Sequence, residues 1–160
     1  MQQGTEPDAG MRRLLLCGLL CNDAELRQSG GHWRVDGDPM EGALLALAAK
    51  AGFETAVAAA DRPRLDAIPF DASYRYMATL HRGAGEAIEL YVKGAPEQLL
   101  ALSSRQLGAS GVAEPLDPAF WEAAIAAAAS RGERVLGFAM RHFAQAPAPF
   151  LVPGGLILGG

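Results

Sequence analysis

The sequence predicts an α+β domain with a mainly antiparallel β-sheet flanked by helices. Three observations point there. Three extended stretches occur in succession, AIPF, YRYMATLHR and AIELYVKG, and the last two flank GAGE, a short loop with two glycines that reads as a hairpin. Two Asp-Pro pairs, at 38–39 and 117–118, open apolar runs as helix starts do. No alternating strand–helix–strand run appears, so a parallel doubly wound sheet is not expected.

Taken in order, residues 1–10 (MQQGTEPDAG) are polar and carry Gly and Pro, the composition of a flexible N-terminal segment. The folded domain is expected over 11–160. Residues 11–26 read as a helix with a broad apolar face. Ser29-Gly30-Gly31 signals a turn, followed by a short extended piece around Trp33 to Val35. Asp38 is placed to cap a helix, with Pro39 at its first position and Glu41 three after the cap, as in a capping box. That helix runs to Gly52, and Pro63 ends an ambiguous segment over 54–65.

After the hairpin, Ala95-Pro96-Glu97 starts a helix reaching about Ser103. Asp117 starts another, AFWEAAIAAAAS, which ends near Gly132. ERVLGFAMRHF reads as a strand, and GGLILGG as a short closing strand with no room to complete anything.

Composition narrows the function. The 160 residues fit one domain, half apolar and one-fifth charged. A net charge of -4 and the absence of any basic run argue against nucleic acid. The longest strongly apolar run, residues 14–20, is far short of the ~20 residues of a spanning helix. Cys17 and Cys21, the two cysteines, share a helix face with no histidine near them, so they read as buried reduced thiols. Phosphate-loop, dinucleotide and Ser or Cys nucleophile signatures are missing. Asp36 and Asp38 imitate an Asp-x-Asp pair but lack the long apolar strand such a pair follows. His32, His81 and His142 are scattered over separate elements.

What remains gathers at the hairpin. Phe70 ends one strand; Ser73, Arg75 and Met77 follow it, and Lys93-Gly94 ends the partner strand at the same edge. Lys93 is one of two lysines beside twelve arginines, where a slim point charge has been used in place of a planar fork. An aromatic face with a thioether can sandwich a planar base, and Lys and Arg suit phosphates. On residue types alone, Phe70 and Met77 in the core with Lys93 and Arg75 solvated is the default reading.

Four blocks in order, DPMEGALLALAAKAGF, IPFDASYRYMATLHR, YVKGAPEQLL and GERVLGFAMR, with CNDAEL before them, resemble the nucleotide-binding (N) domain of P-type cation-transporting ATPases, in particular the calcium- and sodium-pump-like branch. The resemblance covers about residues 11–160. It implies that Phe70 stacks on adenine, that Lys93 lines the same pocket and that Glu41 reaches the adenine amino group. It further implies a nucleotide role for Arg75, an apolar wall at Met77, close approach at Gly94, phosphate contact at Arg134 and a place beside the base for Leu136. The ligand implied is ATP, as Mg-ATP in a full-length pump, and the partners are the phosphorylation and actuator domains of the same parent chain.

Two departures stand out. The segment after Phe70, Asp71 to Tyr76, carries less positive charge than the family's, and Met40 stands where a small hydroxyl residue is common. Neither the family's phosphorylated Asp-Lys-Thr-Gly-Thr motif nor its membrane helices and actuator domain is in the chain. The expectation is therefore a soluble, cytoplasmic domain of a membrane-embedded pump, which binds ATP without hydrolysing it and makes no membrane contact itself. The rivals are a stand-alone α+β interaction or scaffold domain in which Phe70 and Lys93 are structural, and a soluble hydrolase using Asp36 and Asp38.

Overall fold

In the computed structural model, which describes residues 7–146 and 155–159, the elements are α1 (Ala9–Leu20), β1 (Glu25–Ser29), β2 (His32–Asp36), α2 (Pro39–Lys50), α3 (Thr55–Asp61), β3 (Arg64–Asp71), β4 (Tyr76–Arg82), β5 (Ile88–Gly94), α4 (Pro96–Leu102), β6 (Ser103–Leu107), β7 (Ala113–Pro115), α5 (Pro118–Ser130), β8 (Gly137–Phe143) and β9 (Leu156–Gly159). Most of the expected N-terminal segment lies outside the described residues. The helix after it starts two residues early, because the Asp8 carboxylate accepts the Met11 N–H as N-cap.

Among the described residues the strands form a seven-stranded sheet, ordered β3-β4-β5-β8-β9-β6-β7, and a separate β1–β2 hairpin. All pairings are antiparallel except β6 with β9. The α+β expectation with a mainly antiparallel sheet is met. Rows across the central strands set the faces. Met77–Lys93–Phe138, Thr79–Tyr91–Met140 and His81–Glu89–His142 share one face; Ala78–Val92–Ala139 lies on the other. The first face packs under α1 and α2, where Cys17, Cys21, Leu45 and Ala48 meet Met77, Tyr91, Phe138 and Met140. On the second, Leu99 of α4 and Leu156 and Leu158 of β9 close on Ala78, Leu90, Val92 and Ala139.

Three expectations change. Residues 21–26 do not continue α1: Glu25–Ser29 is a strand, turned through Gly30 and Gly31 (φ 58° and 79°) onto β2. A two-residue turn with both φ positive is the hairpin geometry that favours Gly-Gly, and the strand pairing it sets ends the helix early. The helix opened by Pro96 ends at Leu102, within one residue of expectation, but strand β6 (Ser103–Leu107), which was not expected, follows it directly. The closing strand β9 is interior to the sheet, joining β8 to β6, and its Leu156 and Leu158 side chains are buried in the core with Leu99 and Ala139.

Cys17 and Cys21 are free and buried, as expected, with their sulfurs against the carbonyls of Val92, Ala139 and Met77. Burial pushes the Cys21 thiol up to about 11 and holds Cys17 well above its usual value. Burial, then the Glu89 carboxylate, raises the Tyr91 phenol as well. Folded groups with raised acid pKa values stay neutral where the unfolded chain ionises, so stability is complete below the unfolded thiol value and falls as pH rises toward 11. Urea unfolding should therefore lose on the order of 2–3 kcal/mol from Cys21 alone between about pH 9 and pH 11. A flat profile over that window would contradict the buried, neutral thiols.

Candidate functional site

Strand β5 is buried along its whole length, yet it carries Glu89 and Lys93. A charge taken from water without a partner is costly, so each must be answered from another element. Glu89 receives the Tyr91 hydroxyl at 2.8 Å and Arg62 Nε at 3.0 Å. Lys93, 4% exposed, donates from Nζ to Glu41 Oε1 at 2.6 Å, and the Glu41 side chain is itself only 12% exposed. Its stem lies in register between Met77 and Phe138 on the neighbouring strands. The reading with Phe70 and Met77 in the core and Lys93 and Arg75 solvated holds for Met77 and Arg75 and is reversed for the other two: the lysine is inside, and Phe70 is 63% exposed.

Glu41 stands in the first turn of α2, where Asp38 Oδ1 accepts from the N–H groups of Met40 (2.8 Å) and Glu41 (3.2 Å). The reciprocal half of the expected capping box is not made. Glu41 turns instead to the Lys93 ammonium and accepts the Asp23 N–H on Oε2 at 3.2 Å. A buried cation outcompetes a neutral backbone N–H for one carboxylate.

The sheet register sets the rest. Asp71 lies opposite Tyr76, and Gly94 opposite both Tyr76 and Gly137, so the β3–β4 turn, the end of β5 and the start of β8 meet at one edge. In the turn, Asp71 Oδ1 accepts the Ser73 N–H and hydroxyl, and the Asp71 carbonyl accepts the Arg75 N–H at 2.7 Å. The Ser73 hydroxyl and N–H hold the Asp71 carboxyl below its usual range. Ser73 is thus committed to the turn. Arg75 adopts φ 56°, an uncommon conformation for a residue with a Cβ, and its side chain is exposed. Arg134, in the segment between α5 and β8, is exposed too. Glu133 pairs with Arg131 at 2.8 Å, and among the described residues neither Arg75 nor Arg134 has a carboxylate partner. Leu136 packs half-buried against the α1–α2 side of the core.

The glycine at 94 is needed by the chain itself. A Cβ there would sit 2.6 Å from Tyr76 Cβ and closer to the Arg75 carbonyl oxygen, which accepts the Ala95 N–H at 2.9 Å. Its expected role in ligand approach has a structural counterpart: close backbone packing at the base of the site.

All nine candidate residues belong to this edge: Glu41 through its ion pair, the others through sheet register or the adjoining segment. It is an open site. Concavities of about 510 Å³ beside Leu100 and Ile125 and about 530 Å³ beside Gln106 and Trp121 include neither Phe70 nor Lys93. The rival Asp pair is otherwise engaged, with Asp38 capping α2 and Asp36 3.5 Å from Arg27. Among the described residues no His, Cys, Asp or Glu cluster is arranged to hold a metal. The Phe138 ring, which flanks Lys93, and the Glu89–Arg62–Tyr91 network were not anticipated. A carboxylate inside an otherwise apolar strand was the available signal for the second.

Replacing Lys93 by Met, which leaves Glu41 buried and unpaired, should cost about 3–5 kcal/mol of unfolding free energy. The double variant Glu41→Gln/Lys93→Met should cost clearly less than the sum of its two single changes. Strict additivity in denaturant melts would mean that the pair does not couple α2 to the sheet.

The family model for the P-type ATPase cytoplasmic domain N matches residues 10–152. A cation-transporting ATPase from Synechocystis is 48% identical over 131 residues, covering 82% of this chain and 14% of the relative. A probable cation-transporting ATPase F from Mycobacterium tuberculosis is 43% identical over 156 residues, 96% of this chain and 17% of the relative. A calcium-transporting ATPase from Bacillus subtilis is 34% identical over 95 residues, 59% of this chain and 11% of the relative. The chain thus spans about one-sixth or less of the length of these relatives.

Proposed function

As this chain belongs to the P-type cation-transporting ATPases, forming their cytoplasmic N domain, we propose that its sheet edge binds the adenine nucleotide of ATP. One observation carries the proposal: the large exposed ring of Phe70 stands where β3 ends, at the same edge as the Glu41–Lys93 pair. A solvated aromatic is a stacking face, and base–aromatic stacking contributes about 1–3 kcal/mol.

In this account the base lies on Phe70 with Leu136 as an apolar neighbour and Met77 beneath the lysine stem. Glu41 Oε1 and Oε2 each have a lone pair beyond the bonds described, suited to an exocyclic amine. Arg75 and Arg134, without carboxylate partners among the described residues, offer their guanidinium groups to the polyphosphate. Asp71, ionised beside Phe70, opposes the anion and keeps the affinity modest. The residues supply binding and orientation. The chain binds ATP without hydrolysing it, with Mg²⁺ carried on the phosphates.

In the parent pump the domain presents the γ-phosphate to an aspartate on the phosphorylation domain, so the partners are that domain and the actuator domain of the same chain. The domain works on the cytoplasmic side of a membrane-embedded cation pump.

Titration with ATP, followed by ¹H–¹⁵N NMR, should shift the signals of Phe70, Arg75, Lys93 and Arg134. Phe70→Ala should weaken binding by about 1–3 kcal/mol without loss of fold. No shift at millimolar ATP would overturn the proposal in favour of a scaffold domain. Phosphate release abolished by Asp36→Ala would favour the hydrolase.

A further inference from the structure

Glu41 is held from a second side, by residues that are not themselves among the proposed nucleotide contacts. Asn22, buried in the short link between α1 and β1, donates from Nδ2 to the Glu41 carbonyl at 2.9 Å and to the Gly18 carbonyl at 3.0 Å. Its Oδ1 accepts the Ala24 N–H at 2.9 Å. The next residue, Asp23, gives its N–H to Glu41 Oε2 at 3.2 Å. Glu41 is therefore gripped at its main chain by Asn22, at one carboxylate oxygen by Asp23 and at the other by Lys93.

The link that does this is itself pinned by Arg64, at the start of β3. Arg64 Nη1 donates to Asp23 Oδ1 at 2.7 Å, and Nη2 donates to the carbonyls of Asn22 at 2.6 Å and Leu20 at 3.2 Å. A planar fork serves these three acceptors at once; an ammonium is a point donor and cannot reproduce the arrangement. Asn22 is similarly specific, because aspartate would keep the acceptor and lose both donor bonds. Arg64 and Phe70 lie at opposite ends of β3, so Arg64 has no direct route to a ligand stacked on Phe70.

We propose that Asn22 and Arg64 are positioning residues for the nucleotide site: they fix the Glu41 carboxylate, and through it the Lys93 ammonium, in the orientation that receives the base. The functional consequence rests on the nucleotide-binding proposal above; the clamp itself does not. A Glu41 released from Asn22 and Asp23 can still pair with Lys93 but no longer in one geometry, and hydrogen-bond selection of a base depends on that geometry.

The chain's two lysines make this measurable, because Lys50 is exposed and Lys93 buried, so a protected ¹⁵Nζ resonance belongs to Lys93. Asn22→Asp and Arg64→Lys are compared with the unaltered chain, with Lys50→Arg as a control, after far-ultraviolet circular dichroism shows each folded. Both clamp variants should shift or broaden the Lys93 Nζ signal and weaken ATP about 5- to 30-fold. They should also lower the preference for ATP over inosine triphosphate, which lacks the exocyclic amine; a purely structural role would leave that preference unchanged.

An unaltered Lys93 signal in the folded variants overturns the clamp. A changed signal with unaltered ATP affinity and base preference overturns its role in positioning. Should the unaltered chain bind no ATP, the nucleotide proposal fails, and the Lys93 signal alone decides the clamp. If neither variant folds, Asn22→Ser and Arg64→Gln take their place with the same readouts.

Discussion

A lysine ammonium almost wholly withdrawn from water has to be answered by a carboxylate, and the arrangement of this domain's upper face follows from that demand. Lys93 sits at the end of the central strand β5, between Met77 and Phe138. Glu41 answers it from the first turn of α2, 52 residues away in sequence. The pair draws the N-terminus of α2 to the sheet edge, gives up half of a capping box to do so, and brings with it the Asn22–Asp23 link and Arg64 behind it. A buried ion pair contributes little net stability compared with apolar packing but tolerates few alternative arrangements. Here it defines where α2 sits.

Around that fixed point the edge divides into two layers. The lower layer is buried and immobile in its chemistry: Lys93, Glu41, Met77 and a glycine at 94 that no other residue can replace without moving β4. The upper layer is exposed: the ring of Phe70 and the guanidinium groups of Arg75 and Arg134. Such a division suits a site that must hold a base in one orientation while leaving the charged tail open to another domain. A nucleotide that must be handed on is better served by an open edge than by an enclosed cavity.

Much of this was legible in the sequence wherever the controlling chemistry is local. Asp38-Pro39 reads as a helix start because a cap needs only its own next three residues. The nearness of Phe70 to Lys93 follows from one short hairpin loop that sets the register of β4 against β5. Pairings made over long distance were not legible. Glu25 and Leu26 read as the end of the first helix, yet they belong to a strand that Gly30-Gly31 folds onto β2. Strand β9 appears too short to matter until β6 and β8 are placed on either side of it. The burial of Lys93 could not be read either, since its partner lies on a helix whose docking the pair itself decides.

The central claim is that adenine stacks on Phe70 above the Glu41–Lys93 pair. It is tested most directly by intermolecular nuclear Overhauser effects from the adenine H2 and H8 protons of saturating ATP. The account predicts contacts to the Phe70 ring and the Leu136 methyl groups, and none to Leu100 or Ile125 in the groove between α4 and α5. Contacts confined to that groove, with Phe70 silent, would contradict it.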